Sequence, residues 1–358
     1  MFKNLFKKSQ LKTSDYMKNT KEYFANNVGF SYPSGENNGR EYQYIQSIIK
    51  KYFDGSIKYL APELPMTRFR TWYLDNAFYK IVALKNKKDA LEYFSMSTAY
   101  GYLSLLVNYK AARCLIPYRI NYYSFSTINA YIAQCLISGY KEEYDDISRW
   151  FYNSIKNKDV SREKFVNNYE TIYVDYDTDT NDSVWFLYFL YKKSHLIDIE
   201  IDNITIKKPY MNVLNIWDDN NLKDIERHIY MLSEYHIEKN KNNEFGSPIY
   251  NLFPYEILTW LKLRELKGLK NPKTFTHPLM NTPIAKMFLN IKEPLPYPQE
   301  LPYAKELLEK LQEQCPDVEI PEWLKGGESD GLDRKEAEIN KQNNAKGDDI
   351  IPDDFFAK

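Results

Sequence analysis

Acidic side chains form two clusters in the first half of the chain. They are Glu142, Glu143, Asp145 and Asp146 in the first cluster, and Asp175, Asp177 and Asp179, within the stretch DYDTDTND, in the second. Carboxylates at this density could engage a basic protein surface and speed its association. If the fold brings the clusters together, they form a candidate acidic face for a basic partner. The alternative is two separate solvated surfaces.

The second cluster also begins like a calcium-binding EF-hand loop. Such a loop needs Gly at its sixth position and a bidentate Glu at its twelfth. This chain has Thr180 and Phe186 at those positions. We therefore expect no calcium there, and interpret the stretch as a loop in which Asp182 or Ser183 caps the next helix.

Histidine is rare, and its spacing matches no metal-binding motif. His228 and His236 lie on one predicted helix, but eight residues of separation rotate one about 80° from the other. No H-E-x-x-H motif occurs. An active site would have to assemble from distant segments, with His228 or His236 meeting acids. The candidate acids are Glu226, Glu234 and Asp219.

Other catalytic and cofactor motifs are missing from the chain. It contains no G-x-S-x-G elbow, no phosphate-binding loop and no dinucleotide fingerprint, and only 12 of its 358 residues are Gly. We expect no metal and no cofactor. The sequence favours a binding function over catalysis.

Composition restricts the class of protein further. Hydrophobic residues make up 43% of the chain and aromatic residues 16%, which excludes global disorder. The 48 basic residues are balanced by 49 acidic ones, so we expect no direct nucleic-acid binding. Cys114, Cys135 and Cys315 form no paired pattern, and the longest apolar run, at 183–191, is too short for a membrane span. These features predict a cytoplasmic protein.

Apolar residues at three- and four-residue intervals predict helices along most of the chain. The predicted helices are 10–26, 40–54, 67–84, 87–113, 124–137, 140–157, 161–172, 183–193, 210–217, 220–239, 253–268 and 300–313. Segment 197–209 alternates apolar and polar residues, which predicts an extended connector or short hairpin.

This pattern predicts an all-α fold, a multi-helix bundle of two helical subdomains. An N-terminal bundle would span 1–196, a connector 197–209 and a C-terminal subdomain 210–325. Residues 326–358 lack apolar periodicity and are predicted to be a disordered acidic tail. The tail ends in IIPDDFFAK, a short apolar patch that could dock a partner.

The stretch 253–288 has the clearest start and stop signals in the chain. Pro254 suits the first position of a helix, and Gly268 is predicted to end that helix in the left-handed conformation. The turn HPLMNTP follows. We expect His277 to hydrogen-bond across to Glu256 or to a backbone carbonyl, as a structural lock rather than a catalytic group.

A resemblance to a known family rests on this region. The order PIYNLFPYEILTWLKLRELKGL…THPLMNTPIAKM, after a Tyr- and Trp-rich helical body, resembles the immunity protein 49 family of bacterial toxin systems. The resemblance implies an all-α cytoplasmic protein that binds and blocks a cognate toxin. No site residues are transferred from the family, because no defining motif aligns residue by residue.

Two other functions are compatible with the sequence. A helical adaptor, effector or chaperone would dock through its C-terminal tail, so deleting 326–358 would abolish partner binding. An enzyme would need a pocket that joins histidine and acid side chains from distant segments. The sequence does not specify the oligomeric state.

Overall fold

A computed structural model describes residues 36–56, 63–82, 84–115, 125–156, 182–195, 199–201, 204–240, 250 and 252–325. Within these ranges the chain forms 12 α-helices and one short 3-10 helix, and no strand. The all-α prediction is therefore confirmed. The helices predicted at 10–26 and 161–172, and the tail 326–358, lie outside the described residues.

The helices follow the predicted order closely. The first six are α1 (Glu36–Phe53), α2 (Glu63–Val82), α3 (Lys87–Leu115), α4 (Phe125–Ser138), α5 (Lys141–Lys156) and α6 (Asp182–His195). The next four are α7 (Lys208–Asn215), α8 (Leu222–Asn240), α9 (Tyr255–Leu266) and, after the 3-10 helix Pro278–Asn281, α10 (Pro283–Leu289). The last two are α11 (Ala304–Gln312) and α12 (Glu322–Lys325).

The described residues divide between two compact units. The central unit draws them from Tyr122–Pro294 and holds α4 to α10, and the flanking unit draws them from Lys21–Asn121 and Leu295–Lys358. The boundary predicted at 197–209 falls inside the central unit. The physical reason is that α6 and α7, which come before and after this segment, pack against each other.

The segment between α6 and α7 is held against α6. The Tyr188 hydroxyl donates to the carbonyl oxygen of Ile199 at 2.5 Å and accepts from the backbone N–H of Ile201 at 3.2 Å. Its described residues, 199–201 and 204–207, are neither helix nor strand. One buried tyrosine thus fixes the path of a connector that has no regular structure.

Helix α9 is the centre of the central unit and contacts α4, α6, α8 and α10. Nine of its twelve residues are buried, including Trp260, Leu261 and Leu263. A helix with so much buried surface has to be covered by other elements, and Lys262, Glu265 and Leu266 lie on its more exposed side. Gly268, at φ +74°, ends it as predicted, because the N–H groups of Gly268 and Leu269 bond back to the carbonyls of Glu265 and Arg264.

The flanking unit has an aromatic core between α2 and α3. The ring of Phe69 stacks on Tyr100 at 5.0 Å and on Tyr303 at 6.1 Å between centroids. The Tyr100 hydroxyl also donates to the carbonyl oxygen of Pro302, about two hundred residues along the chain, at 2.5 Å. The last described part of the chain therefore belongs to this core and not to a separate subdomain 210–325.

Candidate functional site

The predicted acidic face is only partly on the surface. On α5, Glu142 and Asp146 are exposed, but Glu143 is 5% exposed and Asp145 points towards His195. The reason is the helical period, which places Glu143 on the same side as the buried Tyr144 and Ile147. The face expected from the first cluster is thus reduced to two carboxylates. The second cluster, Asp175, Asp177 and Asp179, lies outside the described residues.

His195, at the end of α6, forms a cluster that the sequence did not reveal. Its Nε2 lies 2.9 Å from Oδ1 of Asp145, and its Nδ1 lies 2.6 Å from Oγ of Ser194. Burial lowers the pKa of His195, although the Asp145 carboxylate opposes this shift. Lys141 and Lys267 lower the pKa further, so both lysines are close enough to act on the ring.

These three side chains share the residue types of a catalytic triad but not its surroundings. The Ser194 hydroxyl also bonds to the carbonyl oxygen of Tyr191 at 3.0 Å, and it is 7% exposed. The C-terminal end of a helix presents carbonyl oxygens, which repel the oxyanion that acyl transfer creates. The arrangement suits a contact that joins α5 to α6.

The predicted partner of His277 was wrong. Its Nε2 lies 3.0 Å from Oε1 of Glu234, not against Glu256, and its Nδ1 accepts from the backbone N–H of Leu279. Its ring packs edge-on against Tyr230, 5.0 Å away. Because Tyr230 and Glu234 are one turn apart on α8, the turn after α9 is held to α8.

Glu256 instead pairs with His236 inside the unit, and both side chains are fully buried. Oε1 of Glu256 lies 2.7 Å from Nδ1 of His236, and Nε2 of His236 lies 3.0 Å from the carbonyl oxygen of Tyr250. Both ring nitrogens face oxygen acceptors, so either His236 carries two ring protons or Glu256 carries a proton that it donates. The acids proposed for an active site have other partners: Glu226, for example, accepts two hydrogen bonds from Thr276.

Arg264 is a fully buried cation at the end of α9, and no motif in the sequence marked its role. Its guanidinium donates to the carbonyl oxygens of Trp217, Asp219 and Lys270 at 2.7–2.8 Å, and to Oδ1 of Asn271 at 3.1 Å. Burial lowers its pKa, against the pull of Asp218 and Asp219. One side chain thus fixes both the loop between α7 and α8 and the loop after α9.

A small hollow opens on the surface of the central unit. Its walls come from α4, α9 and α10, its volume is about 20 Å³, and it is lined by Ile137, Leu258, Leu261, Phe288, Leu289, Lys262 and Glu265. At the rim, the Lys262 ammonium lies 3.6 Å from Glu265, and that of Lys292 lies 3.3 Å from the same carboxylate. We call this feature the α4–α9–α10 hollow.

No protein-family model, curated protein or solved structure matches this chain. Among the helices that the structure describes, none combines the length and the apolar character needed to cross a bilayer. The described residues also bring no three His, Cys, Asp or Glu side chains into an arrangement that would hold a metal ion.

Proposed function

We propose that this chain is a bacterial immunity protein that acts in the cytoplasm, binding a cognate protein toxin and blocking it by direct contact. The proposal invokes no cofactor, no nucleic acid and no turnover. One observation carries it: in the central unit, His236 pairs with Glu256 and His277 pairs with Glu234, so these candidate side chains are occupied in contacts that hold the elements together.

The contacts of these side chains support a binding protein. His236 and Glu256 are fully buried and join α8 to α9, and His277 with Glu234 joins the following turn to α8. A catalytic base must reach a substrate proton, and a fully buried group cannot do so without opening the core. One concave feature of the described residues has a volume of about 20 Å³, much smaller than the roughly 300–1,000 Å³ of small-molecule sites.

The resemblance to the immunity protein 49 family selects one function among binding functions. The residues that carry it, 248–287, supply α9, the 3-10 helix and part of α10, which form the centre of the central unit. A scaffold of this kind presents a fixed helical surface. Such a surface suits steric blocking, because little ordering entropy opposes association.

The first experiment is co-expression with the toxic product of a neighbouring gene. We expect the chain to restore growth and to co-purify with that product at equal stoichiometry. The Arg264→Ala variant, in which the central unit should be strongly destabilised, serves as a control that growth depends on the folded protein. Failure of the wild-type chain to restore growth with any toxic neighbour would contradict the proposal.

Deletion of residues 326–358 separates this function from the adaptor alternative. These residues lie outside the described part of the chain, and the adaptor function depends on them. An immunity protein that acts through its folded surface should still restore growth and still co-purify with the toxin after the deletion. Loss of binding on deletion, with the central unit intact by hydrogen exchange, would favour the adaptor.

A further inference from the structure

The α4–α9–α10 hollow has the size of a side-chain tip. Its volume of about 20 Å³ is roughly that of one water-sized group. Ile137, Leu258 and Leu261 give it apolar walls, and Lys262 and Glu265 lie at its rim. An apolar group that enters the hollow would gain dispersion contacts with these walls. The hollow therefore suits the tip of one apolar side chain from a protein surface.

An exposed leucine extends the apolar surface beyond the hollow. Leu266 is 52% exposed, the largest value for a large hydrophobic side chain among the described residues. It follows Lys262 by four residues on α9, so the two side chains lie on the same face of the helix. Leu266 therefore lies next to the rim of the hollow, on the side of α9 that carries Lys262.

The rim of the hollow carries an excess of positive charge. Lys262 and Lys292 share the single carboxylate of Glu265. Near the rim along the chain, Lys286, Lys267 and Glu293 are also exposed, so four basic residues face two acidic ones. The carbonyl end of α10 offsets only about half a charge. This rim complements carboxylates, the opposite of the acidic face expected from α5.

Replacing the ion pairs at this rim by contacts with another protein would require little free energy. Lys292 is 68% exposed, and an exposed pair such as Lys292–Glu265 contributes about 0–1 kcal/mol. A carboxylate from another protein could therefore replace Glu265 with little loss. The apolar walls would supply affinity, and the lysines would supply orientation and association rate.

We propose that the α4–α9–α10 hollow is the docking site for a partner protein that inserts one apolar side chain flanked by carboxylates. The partner is identified as a toxin only through the function proposed above. The chemistry of the contact follows from the central unit itself. On this inference the toxin surface that is blocked is acidic around an apolar anchor, rather than basic.

The test is a selection from a phage-displayed library of random peptides against the full chain. We expect the recovered peptides to carry Asp or Glu beside Leu, Phe or Met. Their affinity should fall about tenfold for Lys286→Glu/Lys292→Glu, and several-fold between about 50 mM and about 300 mM NaCl. The control Lys208→Glu/Lys223→Glu changes charge equally on α7 and α8 and should bind as the wild type does.

A second pair of variants tests the exposed Leu266 beside the hollow. Leu266→Ser should weaken the same peptides, whereas Met231→Ser, which changes a 40% exposed side chain on α8, should not. Both residues are exposed, so both variants should fold. Recovery of basic or neutral peptides, recovery of none, or equal binding by Lys286→Glu/Lys292→Glu would overturn the docking inference.

The same variants separate this inference from the proposed function. If acidic peptides bind the hollow but no neighbouring toxin is neutralised, the docking site stands and the immunity function fails. If Lys286→Glu/Lys292→Glu protects cells as well as the wild type does, the immunity function stands and the hollow is not its docking site.

Discussion

The central and flanking units bury polar groups in different ways. The central unit encloses ionisable side chains completely, with Glu256, His236 and Arg264 each at 0% exposure. In the flanking unit, hydroxyl groups among aromatic rings bond to backbone carbonyls, as Ser97 does to Arg70 and Tyr100 does to Pro302. One core depends on charge-assisted contacts, and the other depends mainly on ring packing.

This difference predicts different sensitivities to mutation. A buried ionisable group destabilises the fold unless it is paired, and removing one partner leaves the other without compensation. An aromatic core responds instead to lost volume, because its hydroxyl groups contribute only about 1 kcal/mol each. We therefore expect the central unit to be most sensitive to the loss of one partner from a buried polar contact, and the flanking unit to be most sensitive to lost side-chain volume.

Asp75 on α2 is an exception in the flanking unit. Burial raises the pKa of its carboxyl to about 7, although the nearby Arg70 acts to lower it. In the central unit, the fully buried Glu256 has a histidine at 2.7 Å. The two carboxyl groups therefore differ in their surroundings: Glu256 has a close side-chain partner, whereas the half-buried Asp75 keeps its proton to a higher pH.

The largest effect is expected from Arg264→Ala. The substitution removes the donors to three backbone carbonyls and to Asn271, so the central unit should lose about 4 kcal/mol of unfolding free energy. Urea unfolding followed by hydrogen exchange would measure this loss and locate it. The exposed Arg149→Ala on α5 should stay within about 0.5 kcal/mol of the wild type. Equal destabilisation of both units by Arg264→Ala would contradict the comparison.

Glu256→Ala should destabilise the protein by about 3 kcal/mol, because His236 is then buried without its carboxylate. Glu256→Gln keeps the side-chain volume, and its amide can donate to Nδ1 of His236. This variant should therefore lose less than about 1 kcal/mol of unfolding free energy. Glu234→Ala should lower the free energy of unfolding by only about 1 kcal/mol, because the side chain of Glu234 is 33% exposed. Unfolding midpoints for the three variants check this order. A loss for Glu234→Ala as large as that for Glu256→Ala would show that burial does not decide the effect.

Gly139→Ala should destabilise the central unit by about 2–3 kcal/mol. Gly139 has φ +85°, and an added Cβ would lie 2.7 Å from the backbone Cα of Pro294. Gly268 has a similar φ of +74° but open space around it, so Gly268→Ala should lose only about 1 kcal/mol. Thermal unfolding of the two variants distinguishes the cost of a positive φ, which both share, from the steric clash with Pro294, which only Gly139→Ala creates. Equal losses would mean that Pro294 moves aside.

The smallest effect is expected from Asp75→Asn, and it depends on pH. The carboxyl has a pKa of about 7 in the folded state and 3.8 in its ordinary state. Between these values the folded chain holds a proton that the unfolded chain has released, so wild-type stability falls as pH rises through this window. Asn does not ionise. As pH rises from 4.5 to 8, the free energy of unfolding of Asp75→Asn should therefore increase by about 1–2 kcal/mol relative to that of the wild type, as measured by urea titrations. A constant difference across this range would contradict burial as the cause.

Local sequence determined the helices and several of their ends. Apolar spacing at three and four residues predicted the described α-helices, except the short α10 and α12. Gly268 ended α9 as predicted, because the left-handed conformation is local chemistry. The predicted first residues of the helices were less accurate. Helix α2 begins at Glu63 and not at Thr67, since Pro65 is tolerated in a first turn where no N–H donor is needed.

Only the tertiary structure decided which side chains meet. His277 pairs with Glu234 rather than Glu256, Glu143 turns inwards, and residues 295–325 belong with α1 to α3. Each result depends on contacts between segments far apart in the chain. The helical period predicts which face of a helix is buried, but it does not predict which element packs against that face. The same limit applies to the α4–α9–α10 hollow, whose walls come from three helices spread over about 150 residues. Composition and periodicity are properties of each segment alone, whereas a site is a property of segments packed together.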